Sequence, residues 1–321
     1  MSVRSLSATL ALSATLLGAG ASAALASPAN TRPSTYELPG DPGSSKFEGI
    51  GFDARTKNYY VSETTGGEIH RGQLRSGAAT EWLQGDGTDG RWTARGVNVD
   101  SQGRVYVAGG PNGIDHPGAP DLWVYDRDGQ LLAALRTGVP NAFLNDLVIG
   151  PDGAAYFTNS NAPQIFRVAE QHGRWTVTTW ADATGTIDTA TGFNLGGIVL
   201  SPDRKALVVA QGNVGKLWRF DLRTAQATAV DTAGAELVNA DGLVQEGNSL
   251  WVVRNFSKVL STLRLSADGR AARLVSATPT DPDRVLTTAK LAQGRLLVVD
   301  SKFDEATAVP PYQVITLDPR R

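Results

Sequence analysis

Six polar or small residues stand at the head of short apolar runs along this chain. They are Glu48 in Glu-Gly-Ile-Gly-Phe-Asp, Arg95 in Arg-Gly-Val-Asn-Val-Asp and Asn145 in Asn-Asp-Leu-Val-Ile-Gly-Pro-Asp-Gly. Gly196 in Gly-Gly-Ile-Val-Leu-Ser-Pro-Asp, Asp241 in Asp-Gly-Leu-Val and Thr287 in Thr-Thr-Ala-Lys-Leu complete the set. Successive members are 47, 50, 51, 45 and 46 residues apart. If equivalent positions come round one axis, two carboxylates and an amide face each other there. Carboxylates taken out of water repel unless neutralised, and a cluster of Glu, Asp and Asn oxygens suits a hard divalent cation such as calcium. A salt bridge from Arg95 to Glu48 or Asp241 is the other solution to the same charge problem. Both remain open from spacing alone.

The elements that must carry these residues are strands. Each apolar run is short, rich in Val, Ile and Tyr, and bounded by turn signals such as Asp128-Gly129, Pro151-Asp152-Gly153, Pro202-Asp203 and Asp268-Gly269. No long amphipathic helical pattern interrupts them, so the class is all-β. A repeat of about 40–50 residues is the length of a four-stranded propeller blade. The fourth copy displays its meander: Ala206-Leu-Val-Val-Ala-Gln, then Gly215-Lys-Leu-Trp-Arg-Phe-Asp, then Ala227-Thr-Ala-Val. Six copies predict a six-bladed β-propeller of four-stranded antiparallel blades, with the head of each first strand lining the central channel. The sixth copy ends at Tyr312-Gln-Val-Ile-Thr-Leu-Asp with too little chain for a fourth strand. The segment Thr35-Tyr36-Glu37-Leu38 is expected to supply it, closing the ring with the N-terminal strand and hiding an edge. Trp123, Trp218 and Trp251 recur in blade strands and are expected to be packing residues.

Residues 1–26 carry one charge, Arg4, then an Ala/Leu-rich run and two small-x-small sites, Ala21-Ser22-Ala23 and Ala24-Leu25-Ala26. This is the pattern of a secretory signal peptide, too short and too diluted by Ser and Ala for a membrane anchor. Residues 27–34 are expected to be a flexible N-terminus and 35–321 the propeller, secreted and without further contact with the membrane. Loss of Arg4 leaves 29 basic against 32 acidic residues, a formal charge of −3. That balance gives nucleic acid no footing. There is no cysteine, which excludes disulfides, thiol nucleophiles and Cys-ligated zinc. There is no Gly-x-Ser-x-Gly elbow, His-Glu-x-x-His or phosphate-binding loop either. Of three histidines, His70 and His172 have no partner at ligand spacing. His116 lies in the long loop between Gly109 and Pro120, which follows an inner strand pair and is a candidate lid over the channel mouth.

From Phe47 to about Phe303 these recurring motifs resemble the gluconolactonase, regucalcin and luciferin-regenerating-enzyme (senescence marker protein) family of six-bladed propellers. Its members hold one divalent metal at the channel mouth. By that resemblance, Glu48 matches the first ligand and Asp241 in Asp-Gly-Leu the last, while Asn145 matches a further Asn that contacts substrate. The family's middle ligand, the Asn of Asn-Gly-Ile, is replaced here by Gly196 in Gly-Gly-Ile. Asn194, two residues earlier on the same pleat face, is the expected substitute ligand. The family's Arg shortly before the substrate Asn is also replaced, by Phe143-Leu144. An apolar mouth argues against gluconolactone.

The resemblance implies metal-assisted hydrolysis of a lactone or ester. The cation, calcium in an exported protein, would act as Lewis acid, with Asp241 as ligand and general base and Asn145, Arg95 and His116 toward the substrate. The expected partner is a small-molecule substrate, and the expected state a monomer. Two readings compete: a binding scaffold without chemistry, and a strictosidine-synthase-like or paraoxonase-like propeller.

Overall fold

The computed structural model describes Met1, residues 33–110 and residues 116–319. Residues 2–26 of the expected signal sequence and residues 27–32 of the flexible stretch lie outside the described residues. The chain divides into two units, 1–32 and 33–321, and every described strand belongs to the second. Alternating apolar strands and turn residues have formed six four-stranded antiparallel sheets, in agreement with the sequence period. The two helical elements among the described residues are single 3-10 turns, Thr88–Gly90 and Gly212–Val214. No helix there is long and apolar enough to cross a membrane.

The innermost strands are Phe47–Phe52, Val97–Val99, Leu144–Ile149, Leu195–Leu200, Ala240–Glu246 and Leu286–Ala292, in blades 1 to 6. Each packs on the innermost strand of the next blade, and Leu286–Ala292 returns to Phe47–Phe52. These six strands therefore form a closed ring. Blade 6 takes its outermost strand from the start of the chain: Thr35–Leu38 pairs with Tyr312–Leu317, Tyr36 opposite Val314 and Leu38 opposite Tyr312. The same strand reaches blade 1, where the Glu37 N–H donates to the Gly77 carbonyl at 2.9 Å.

Packing between blades is apolar. Tyr156, Leu195, Leu207, Trp218 and Phe220 form one cluster across blades 3 and 4, and Tyr36, Phe47, Tyr59 and Val314 form another where blade 6 meets blade 1. Trp123, Trp218 and Trp251 are buried. Each indole N–H has a partner: the Asp89 carbonyl, Gln211 Oε1 and the Pro319 carbonyl. A buried indole needs such a partner, and these three tryptophans are structural.

Candidate functional site

Five of the innermost strands slip against their neighbours close to the channel mouth. The ladder shifts between Phe47 and Ile50, Leu144 and Leu147, Leu195 and Ile198, Ala240 and Leu243, and Leu286 and Ala289. Two residues there oppose one, a β-bulge, which re-aims side chains and recurs beside functional sites. The bulged pairs begin with Glu48, Asn145, Gly196, Asp241 and Thr287. In blade 2, Arg95-Gly96 takes the same place: the Arg95 N–H donates to the Ala108 carbonyl and the Ala108 N–H to that of Gly96. The six-residue sequence ruler is thus a row of backbone irregularities around one axis.

Glu48, Arg95, Asn145, Gly196 and Asp241 line a single cavity of about 450 Å³. Thr287 is not among its lining residues; it is buried, and its hydroxyl donates to the Glu48 carbonyl at 3.0 Å, tying blade 6 to blade 1. Arg95 donates through Nη1 to Glu48 Oε2 and through Nε to the Gly110 carbonyl at 2.8 Å. Its guanidinium also lies 4.2 Å from the centre of the Phe143 ring. Asp241 Oδ2 accepts from Asn255 Nδ2 at 2.9 Å, while its Oδ1 accepts no hydrogen bond from the described residues. Asn145 Oδ1 and Asp241 Oδ1 both lie within 4.0 Å of the point where a Cβ on residue 196 would stand.

Burial dominates the electrostatics. It pushes the Asp241 carboxyl up to about 7, with the Glu48 charge adding to the effect and the Asn255 hydrogen bond opposing it. It raises Glu48 too, against the attraction of Arg95. Asp146 is 2% exposed and also raised by burial, against the attraction of Lys290; its Oδ1 accepts from the Leu147 N–H at 2.7 Å. Two cations act on these carboxylates: Arg95, in contact with Glu48 at the mouth, and Lys290 of the strand Leu286–Ala292, which acts on Asp146.

The sequence-predicted residues divide. Glu48, Arg95, Asn145 and Asp241 come together, and Arg95 forms a salt bridge with Glu48. Asn194 reaches the cavity wall, but its amide is committed elsewhere. Its Oδ1 accepts from the Ala190 N–H, Gln211 Nε2 and Asn213 Nδ2, and its Nδ2 donates to the carbonyls of Ser160, Ala190 and Gly192. It closes its own loop. Asn194 and Gly196 both line the cavity, as alternation predicts, but Asn194 stands just before the strand Leu195–Leu200, within the loop whose groups its amide holds. His116 stacks on Trp92 at 4.0 Å and is not a lining residue. Residues 111–115 of the proposed lid lie outside the described residues.

Sequence reasoning missed the rim. Asn213, Asn255, Phe256 and Phe303 lie in the loops that leave the second strands of blades 4, 5 and 6, and Phe193 in the loop entering blade 4. Phe193 and Phe256 are each more than half exposed, and Phe193 packs on Phe143 at 5.0 Å. The available signal was positional: in Gln211-Gly-Asn, Arg254-Asn-Phe and Asp300-Ser-Lys-Phe, polar and aromatic residues follow within three places of a strand end.

These donors do not fit a divalent cation as they stand. Calcium takes six to eight oxygens. Here one carboxylate is engaged by a guanidinium, Gly196 offers no side chain and the Asn194 amide is saturated. Among the described residues, no group of three His, Cys, Asp or Glu side chains is placed to hold a metal.

No family model and no curated protein matches this chain. Solved structures do. The allergen Mala s 1 of Malassezia sympodialis is 17% identical, with a TM-score of 0.64 over 90% of this chain and 97% of its own. A gluconolactonase of Xanthomonas campestris is 18% identical, with a TM-score of 0.62 over 90% and 99%. A regucalcin of Agrobacterium tumefaciens, described as a calcium-binding protein, is 18% identical, with a TM-score of 0.58 over 86% and 95%. At these identities the likeness establishes the propeller fold and carries no chemistry across.

Proposed function

We propose that the channel mouth binds an apolar lactone or ester and hydrolyses it. The observation that carries this reading is a partly buried carboxylate, Asp241, one oxygen of which accepts no hydrogen bond from the described residues, in the same cavity as the donors of Arg95 and Asn145. Asp241 Oδ1 accepts a proton from water as the water oxygen bonds to the substrate carbonyl carbon. The carbonyl oxygen takes up the displaced electron pair, stabilised by N–H groups of Arg95 and Asn145. Collapse of the adduct breaks the carbon–alkoxy bond, and the departing oxygen recovers the proton from Asp241. A carboxyl held near 7 is matched to such a base at neutral pH. The neighbouring gluconolactonase is consistent with this chemistry, but the Phe rim favours a substrate with an apolar body. The sequence of residues 1–26 supports action outside the cytoplasm.

One observation favours a second reading, binding without turnover: Phe193 and Phe256 present exposed rings at the rim, which recognise a ligand whether or not it is cleaved. A panel of alkyl and aryl lactones and esters, followed by acid release, separates the two. Hydrolysis by wild type, reduced about 10²–10⁴-fold in Asp241→Asn, is the expected result. A ligand bound equally by both proteins with no acid released would replace the hydrolase with a binding protein.

A further inference from the structure

The charge at the channel mouth and the missing donor at position 196 point the same way. Glu48 and Asp146 are buried, Asp241 is partly buried, and the three carboxylates feel one another's charge, which a cation among them relieves. Arg95 supplies one, and it is fixed three times over: by Glu48 Oε2, by the Gly110 carbonyl and by the face of Phe143. Position 196 is the second observation, and it is independent of the first. A Cβ there would meet Asn145 Oδ1 at 3.7 Å and the Asp241 oxygens at 4.0 Å, ordinary contact distances, and its φ is not left-handed. The backbone therefore has room for a side chain beside Asn145 Oδ1 and Asp241 Oδ1. The next residue differs: a Cβ on Gly197 would stand 2.1 Å from the Asp241 carbonyl oxygen, so glycine is forced there. At 196 it is not forced, and the chain carries no donor where one fits.

We propose that this site carries its own cation: the Arg95 guanidinium occupies the charge position a divalent ion would hold, and with Gly196 it keeps such ions out. A guanidinium is permanently charged and brings its own planar donors. It therefore does the electrostatic work of a metal without release or exchange. A divalent ion entering beside it would meet a like charge in a desolvated site and find too few oxygens to replace its water. The inference goes beyond hydrolysis, because it holds for a binding pocket as well as for a catalytic one.

Calcium chloride titrated into chelator-treated full-length protein is the test, read by calorimetry and by the calcium dependence of the melting temperature. Wild type should give no one-site isotherm up to millimolar calcium and no shift in melting. Arg95→Gln combined with Gly196→Asn should gain a one-site isotherm that a further Glu48→Gln change removes. Arg95→Lys with Gly196→Asn keeps the positive charge and should stay at least tenfold weaker than the Gln version. If the double variant does not fold, Arg95→Gln alone should bind calcium at least tenfold more tightly than wild type. A wild-type isotherm abolished by Asp241→Asn overturns the proposal. So does a folded Arg95→Gln/Gly196→Asn protein that binds no calcium. Neither outcome depends on finding a substrate.

Discussion

Two adjacent glycines in blade 4 share a residue type but not a reason. Gly197 is where two inner strands touch: a methyl group there would lie 2.1 Å from the Asp241 carbonyl oxygen and 2.7 Å from the Leu243 nitrogen, both backbone atoms that cannot step aside. Gly49 stands in the same relation to the Arg95 carbonyl, so the glycine after the ruler residue is a contact between blades. Gly196 faces the cavity and meets nothing closer than 3.7 Å. Gly197→Ala should therefore lower unfolding free energy by about 1–3 kcal/mol or more, as overpacking does. Gly196→Ala should change it by less than about 1 kcal/mol, with a possible gain from the stiffer unfolded chain. Urea denaturation of both variants measures the contrast. Equal stability in the two would remove the close approach of blades as the explanation of the repeated Gly.

At the scale of the element, strands and their period were legible because alternation, turn residues and a spacing of 45–51 residues all come from local chemistry. The bulges were not legible, since a bulge is a mismatch between two strands and one strand does not display it. Glu48, Asn145 and Asp241 were found by their spacing and Asn194 by its alternation with residue 196, whereas the hydrogen bonds that hold the Asn194 amide in its loop were not legible. Asn255 and the Phe rim were missed for a related reason: loop residues obey no period, and only the closed ring brings them to the mouth. The turns between strands follow a simpler rule, visible at Asp53. Its Oδ1 accepts from the Arg55 N–H at 2.8 Å and its Oδ2 from the Thr56 hydroxyl at 2.9 Å, closing the turn between Phe47–Phe52 and Asn58–Glu63. Burial alone would raise this carboxyl, but those hydrogen bonds outweigh it and hold it below the usual value. A depressed folded pKa contributes stability that is fully present above the unfolded pKa, about 4, and is lost as pH falls through the folded value. Asp53→Asn keeps an acceptor and loses the titration, so its melting temperature should fall less steeply than that of wild type between pH 4 and about pH 2. Parallel acid limbs for the two proteins would show that Asp53 does not contribute to acid unfolding.

For the whole molecule, everything at the mouth depends on the ring being closed, because the site residues come from different blades and share no single element. Closure rests on one short strand. Tyr36 is 1% exposed, sits edge-on to Tyr59 of blade 1 at 5.1 Å, and donates its hydroxyl to the Leu74 carbonyl at 3.1 Å, while its strand pairs with Tyr312–Leu317 of blade 6. It thus fastens both sides of the seam. Replacing it by Ala removes a buried aromatic side chain and should cost about 3–5 kcal/mol, the usual loss for such a truncation. Removing residues 1–39 should do more: it leaves the Tyr312–Leu317 strand as a bare edge, a template for pairing with another chain. The truncated protein is expected to melt at lower temperature and to associate, seen by calorimetry and by light scattering after size-exclusion chromatography. Because the seam lies between the blades that supply Thr287 and Glu48, binding at the mouth should weaken in Tyr36→Ala even where the protein remains folded. A truncated chain that stays monomeric and melts like the intact one would mean that the contacts between inner strands hold the ring without its closing strand.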